Sequence, residues 1–288
     1  MKILSYFKSA KVLLVAVLAG ICGLISPMPS SNADAELVSQ RQYVLDEAFA
    51  AGQGLSADGD YIYTSGAMSA FYMTALAKID AESGEVVKKN LSALPVEFTK
   101  KGYDHIGAIS VYGDTIYAPV EDRAEEHPLV LLFDKNTLEY TGTYYELDAE
   151  YLPDGIPWCA VDADSGLLYT SPFRNSNYIL AFNLKDMSFA KKIDLSEAID
   201  RVQAGVCLDG KLYVNLDPNT PKGKKVVRSI DLASGEVTDC FTRNVTGAFG
   251  CETEGIAIRF TPDGKMQFVI ADYDKTVCVF MRTYELLK

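Results

Sequence analysis

The chain has 288 residues, of which 48% are hydrophobic and 23% charged, a balance that excludes an intrinsically disordered chain. Lys and Arg total 27 against 39 Asp and Glu, and the formal net charge of −12 leaves no basic surplus for phosphates, so a nucleic-acid partner is excluded. Two histidines, His105 and His127, exclude any mechanism that needs a histidine cluster.

Residues 1–35 read as a targeting segment and residues 36–288 as one folded domain. Lys2, Lys8 and Lys11 give a positive start, Val12 to Ile25 is an apolar run, and Ala33-Asp34-Ala35 has the small-x-small form of a cleavage site. The run is too short for a spanning helix, which needs about 20 residues. The expectation is therefore a secreted or periplasmic protein that meets the membrane only through this segment. Beyond it remain Cys159, Cys207, Cys240, Cys251 and Cys278. Their spacings do not match zinc motifs, and Cys159 with Cys207, or Cys240 with Cys251, are candidate disulfides.

A repeat of about 50 residues organises the rest. The unit apolar-Asp-x-x-Ser-Gly-Glu-Val occurs at Ile79–Val86 and at Ile230–Val237, with degenerate copies at Phe133–Tyr140 and Phe182–Phe189. Each copy reads as a hairpin turn, with Asp or Asn accepting local amides and Gly supplying positive φ in the two better copies. Upstream of each lies a short apolar strand, a turn, and an apolar-Tyr-x strand. These begin at Gly54, Gly107, Trp158, Gly205 and Gly255.

Four strands per repeat and five repeats predict an all-β chain, a five-bladed β-propeller with four-stranded blades. The last repeat is one strand short, and Gln42 to Asp46 is expected to supply the missing strand, joining the two open edges. A β-sandwich also has closely spaced strands but does not predict five similar units. A helix is expected at Leu195 to Gln203, capped by Ser196. A monomer is expected.

Propeller ligands bind where the innermost strands converge at one mouth. The residues at or just before those strands are Gln53, Asp104, His105, Trp158, Gln203, Glu252 and Glu254. Gln53, Asp104, Trp158 and Gln203 are candidate ligand-binding residues, with the Trp158 ring able to stack on a sugar or a cation. Glu254, Glu252 and Asp104 are candidate oxygen ligands for Ca²⁺. His105 and Glu254 are candidate catalytic groups, His105 as a general base. His127 sits in the acidic run Glu125-Glu126-His127 and reads as exposed.

Gln53-Gly54-Leu55, Asp58-Gly59, Ile62-Tyr63 and Ile79-Asp80 to Val86 resemble the five-bladed glutaminyl cyclotransferases of plants and bacteria, as do Asp209 to Tyr213 and Val227 to Asp231. Glu254-Gly255-Ile256 followed by Ile270-Ala271-Asp272 is similar to the calcium-dependent lactonase and esterase propellers of the gluconolactonase and strictosidine synthase type. The first resemblance implies cyclotransferase chemistry and the second metal-assisted lactone or ester hydrolysis. The residues themselves support binding of a small molecule, glycan or protein at the mouth.

Overall fold

In the computed structural model, residues 29–31, 34–68, 73–218, 224–246, 250–274 and 278–287 are described. They form five antiparallel sheets arranged as a propeller. The first is β3 (Leu55–Asp58), β4 (Tyr61–Met68), β5 (Met73–Asp80) and β6 (Val86–Asn90). The second is β7 (Tyr103–Ile106) and β8 (Ser110–Tyr112), both against β9 (Thr115–Asp122), then β10 (Leu129–Asp134) and β11 (Tyr140–Glu146). The third is β12 (Ala160–Asp162), β13 (Leu167–Thr170), β14 (Ser176–Asn183) and β15 (Phe189–Ile199). The fourth is β16 (Val202–Leu208), β17 (Lys211–Leu216), β18 (Lys224–Asp231) and β19 (Val237–Asn244). The fifth is β20 (Cys251–Phe260), β21 (Met266–Asp274), β22 (Cys278–Leu286) and β2 (Ala35–Val44).

The N-terminal closure is longer than the sequence suggests. Strand β2 runs antiparallel to β22, with Ala35 opposite Leu286 and Tyr43 opposite Val279. Leu45 and Asp46, expected in that strand, instead begin a short helix, α1 (Leu45–Ala50). A further strand, β1 (Ser30–Ser31), pairs with the outer edge of β19 and gives the fourth blade a fifth strand. Residues 1–28, which carry most of the expected targeting segment, lie outside the described residues. No described helix is long and apolar enough to cross a membrane.

The helix expected at Leu195 to Gln203 is a correction. Leu195–Ile199 completes β15, and Val202 opens β16. The extended form wins because the next blade satisfies its polar groups. The Ser196 amide donates to the Gly235 carbonyl at 3.0 Å, and the Ser196 hydroxyl accepts the Val237 amide at 2.9 Å. Ser196 therefore clips two blades together and caps no helix.

The repeat has a common turn. The amides of Gly84, Leu138, Met187 and Gly235 each donate to the carbonyl four residues earlier, at 2.7–2.8 Å. All four residues have positive φ, from 53° to 75°. In the degenerate copies Leu138 and Met187 take the glycine position, a backbone region unfavourable for side chains. Both side chains are buried in the core, which offsets that cost. The turn carboxylates of Asp80, Asp134 and Asp231 accept the following amides, as the motif predicts.

The inner strands close into a ring. Strand β3 lies beside β8 and β20, β8 beside β12, and β12 and β20 both beside β16. The Ser56 hydroxyl accepts the Val111 amide and the Ser110 hydroxyl accepts the Val161 amide, one repeat apart. Between the second and third blades the backbones themselves meet. Ala108 accepts the Cys159 amide and donates to the Pro157 carbonyl. Ring closure leaves room for little beyond hydrogen at Gly107 and Gly255, which abut the backbones of Pro157 and Gly54.

Candidate functional site

A cavity of about 250 Å³ lies where the blades converge, and every blade contributes to its wall. Gln53 comes from the first, His105, Glu121 and Glu125 from the second, and Asp154, Pro157, Phe173 and Arg174 from the third. Arg201 and Gln203 come from the approach to and start of the fourth, and Glu252 and Glu254 from the fifth.

Three strands break register where they reach this cavity. Tyr103 pairs with Asp122 and His105 with Glu121, so Asp104 is an extra residue. Val202 pairs with Leu216 and Ala204 with Asn215, making Gln203 the extra residue of β16. On β20, Thr253 pairs with Asp272 and Ile256 with Ile270, so Glu254 and Gly255 together face Ala271. Such bulges re-aim side chains and are found beside binding sites. Here they turn the ends of three blades toward one hollow.

Five predicted residues therefore share one cavity: Gln53, His105, Gln203, Glu252 and Glu254. Two do not. Asp104 is buried and bound to Arg123 Nε at 2.6 Å. Trp158 is fully buried in the largest core cluster, with its Nε1 lacking a partner among the described residues. Glu121, Glu125, Asp154, Phe173, Arg174 and Arg201 were not singled out, because none belongs to an innermost strand. The missed signal is the cross-strand pairing of β7 with β9. It sets Glu121 directly opposite His105, with both side chains on one face.

Part of the wall is self-satisfied. Asp154 accepts the amides of Phe173 at 3.0 Å and Arg174 at 2.9 Å. Arg201 donates through Nε to the Asp217 carbonyl and through Nη2 to its carboxylate. Asp217 also holds the buried Lys225 ammonium. The guanidiniums of Arg174 and Arg201 both approach the Phe173 ring, at 5.2 and 5.1 Å from its centroid.

Two of the wall's carboxyls keep open acceptors. Glu254 is 4% exposed, and no described residue hydrogen-bonds its carboxyl. Burial raises its pKa, with Glu252 and Asp217 adding to the effect. Burial also pushes Glu121 up to about 8, helped by Glu125 and Asp154, and its buried Oε1 has no partner among the described residues. Burial lowers the pKa of His105. At neutral pH the cavity therefore presents a protonated Glu121 carboxyl and a neutral imidazole, beside a Glu254 carboxyl that is harder to ionise than a free one.

Among the described residues no group of three or more His, Cys, Asp or Glu is placed to share a metal ion. Cys159, Cys207, Cys240 and Cys251 are free thiols, so neither candidate disulfide is formed. Burial raises the Cys159 thiol far above its usual range, the opposite of what a nucleophile needs. His127 lies in an exposed turn, bonded to Asp122 at 2.8 Å and away from the cavity. A larger groove of about 880 Å³ at the seam of the first and fifth blades contains none of the predicted residues. Its Arg259 is already bonded to Gln267 and to the Ala81 carbonyl.

No protein-family model matches the chain, and no curated protein matches it. Solved structures do. A tail fiber of Staphylococcus aureus phage P68 aligns with a TM-score of 0.55 at 14% identity, covering 88% of this chain and 52% of that one. A bifunctional GH43-CE protein of Bacteroides eggerthii aligns with a TM-score of 0.53 at 15% identity, covering 81% of this chain and 32% of that one. The chain thus spans about half the length of the first and a third of the second. At such low identity the likeness is one of fold.

Proposed function

We propose that this protein is an exported binding propeller that takes a small polar molecule in its five-blade cavity. The observation that carries this reading is the unmet hydrogen-bonding capacity there. Glu121 Oε1 is a buried acceptor without a partner among the described residues, the buried Glu254 carboxyl accepts no described hydrogen bond, and the part-buried side chains of His105, Gln53 and Gln203 line the same hollow from three blades. Buried polar groups in native proteins normally have partners, and a bound molecule would supply them. The cavity volume lies just below the roughly 300–1,000 Å³ of drug-sized sites, which favours a small ligand over a glycan chain or a protein. Export rests on the charge and apolar pattern of residues 1–35.

The test is a set of melting curves with monosaccharides, amino acids, amines and lactones. A true ligand raises the melting temperature of the full chain, because it binds only the folded state. Gln53→Ala and Gln203→Ala should each reduce that shift. If no compound in the set shifts the wild type, or if both variants respond like wild type, the reading fails.

A second reading is favoured by the His105–Glu121 pair. A neutral imidazole beside a protonated carboxyl is a base next to an acid, suited to proton transfer on a bound substrate. Hydrolysis of a lactone or aryl ester is the reaction to assay. Turnover lost in both His105→Gln and Glu121→Gln would support it, and none above the buffer rate would dismiss it.

A further inference from the structure

The chemical class of the occupant follows from what the wall offers, and this step rests on the binding reading above. We propose that the cavity takes a small organic amine, with Glu254 as the counter-ion of its ammonium group.

Carboxyl-bearing residues reach the cavity from three blades: Glu121 and Glu125, Asp154, and Glu252 and Glu254. The two cations in the wall are already engaged. Arg201 is bound to Asp217, and both Arg201 and Arg174 stack against the Phe173 ring. Asp154 is likewise committed to two backbone amides.

Glu254 is different. It lies at a bulge that turns it to the mouth, it is 4% exposed, and no described residue bonds its carboxyl. A buried carboxyl beside other acids is costly to ionise, and a cationic partner removes that cost.

The spacing of acceptors selects the kind of cation. A calcium ion needs six to eight oxygens within about 2.3–2.6 Å of one point. The described residues hold no group of three acidic or metal-binding side chains that converge in that way. An ammonium group directs its three N–H bonds apart and suits acceptors spread around a wall. The Gln53 and Gln203 amide oxygens, on two further blades, are such acceptors. Glu121 and His105 would then meet hydroxyls or a second amine on the same small molecule.

The experiment uses the full chain and matched pairs of probes: putrescine with 1,4-butanediol, and glucosamine with glucose. Calcium chloride is run alongside. At millimolar concentration at least one amine should raise the melting temperature by about 2 °C or more, its neutral counterpart by far less. Glu254→Gln should abolish the amine shift while leaving the unliganded melting temperature near that of wild type. Gln203→Ala, whose site is less buried, should weaken the shift and guards against a folding defect in the first variant.

Three outcomes overturn the proposal. In one, no amine shifts the wild type. In another, the diol or glucose shifts it as strongly, which keeps a binding cavity but removes its preference for amines. In the third, calcium gives the shift that Glu254→Gln removes, which makes the site a metal site.

Discussion

The Trp158 ring lies against Gly205, so that a Cβ at Gly205 would sit 2.7 Å from Cζ3 and 2.9 Å from Cε3 of the indole. These residues occupy the same place in successive repeats, at or just ahead of the inner strand. Four repeats put glycine there, and the third puts a tryptophan whose ring fills the space left by its neighbour. The pair thus joins the third blade to the fourth by complementary size. Gly205→Ala should cost roughly 1–3 kcal/mol through overpacking. In a Trp158→Phe background the same change should cost measurably less, because the smaller ring relieves the clash. Urea melts of the four proteins give the coupling energy directly, and strict additivity would contradict the contact.

The blades were legible in the sequence because their turns are local. Asp80 and Asp231 do what the motif requires, and the intervals between copies give the blade count without reference to packing. The helix expected at 195–203 failed because its competitor is not local: Ser196 is held by Gly235 and Val237 of the next repeat. The site was half legible for the same reason. Gln53, His105, Gln203 and Glu254 stand in line with the inner strands, so alignment of the repeats finds them. Glu121 and Arg201 reach the cavity through pairing and a turn that no inner-strand pattern marks. Trp158 was misjudged because its place in the repeat marks a packing position as readily as a lining one.

Asp272 ties the closure together. Its Oδ2 accepts Arg243 Nη1 at 2.7 Å and Arg282 Nη1 at 2.6 Å, and all three side chains are buried. Arg243 also donates to Thr253, and Arg282 to Gln40 on the closing strand. One carboxylate therefore links the fourth blade, the fifth blade and the N-terminal strand. Asp272→Asn leaves two buried guanidiniums without their counter-charge and should cost roughly 3–5 kcal/mol. At about 2–4 °C per kcal/mol for a chain of this size, the loss is easily seen in a thermal melt. Burial works to raise the Asp272 pKa, and the two arginines together outweigh it and hold the pKa below its ordinary value. Its contribution is therefore present above that ordinary value and lost as pH falls through the depressed one. The Asn variant should lack this part of the acid transition.

Glu121 should act in the opposite direction. Its pKa rises from 4.5 in a free side chain to about 8 in the fold, first through burial and then through Glu125 and Asp154. Between those values the native state keeps a proton that the unfolded chain releases, so stability declines as pH rises across that interval. Glu121→Gln keeps the shape of the protonated carboxyl and has no proton to lose. Wild type and variant should be similar in urea melts near pH 4.5. Near pH 8.5 the variant should be the more stable, by on the order of 3 kcal/mol. His105 contributes with the reverse sign at lower pH, because burial lowers its pKa and its protonation favours unfolding. Carrying both measurements in a His105→Gln background therefore isolates the Glu121 term. A variant that tracks wild type at both pH values would show that the Glu121 carboxyl is hydrated, and the acid–base pairing with His105 would lose its basis.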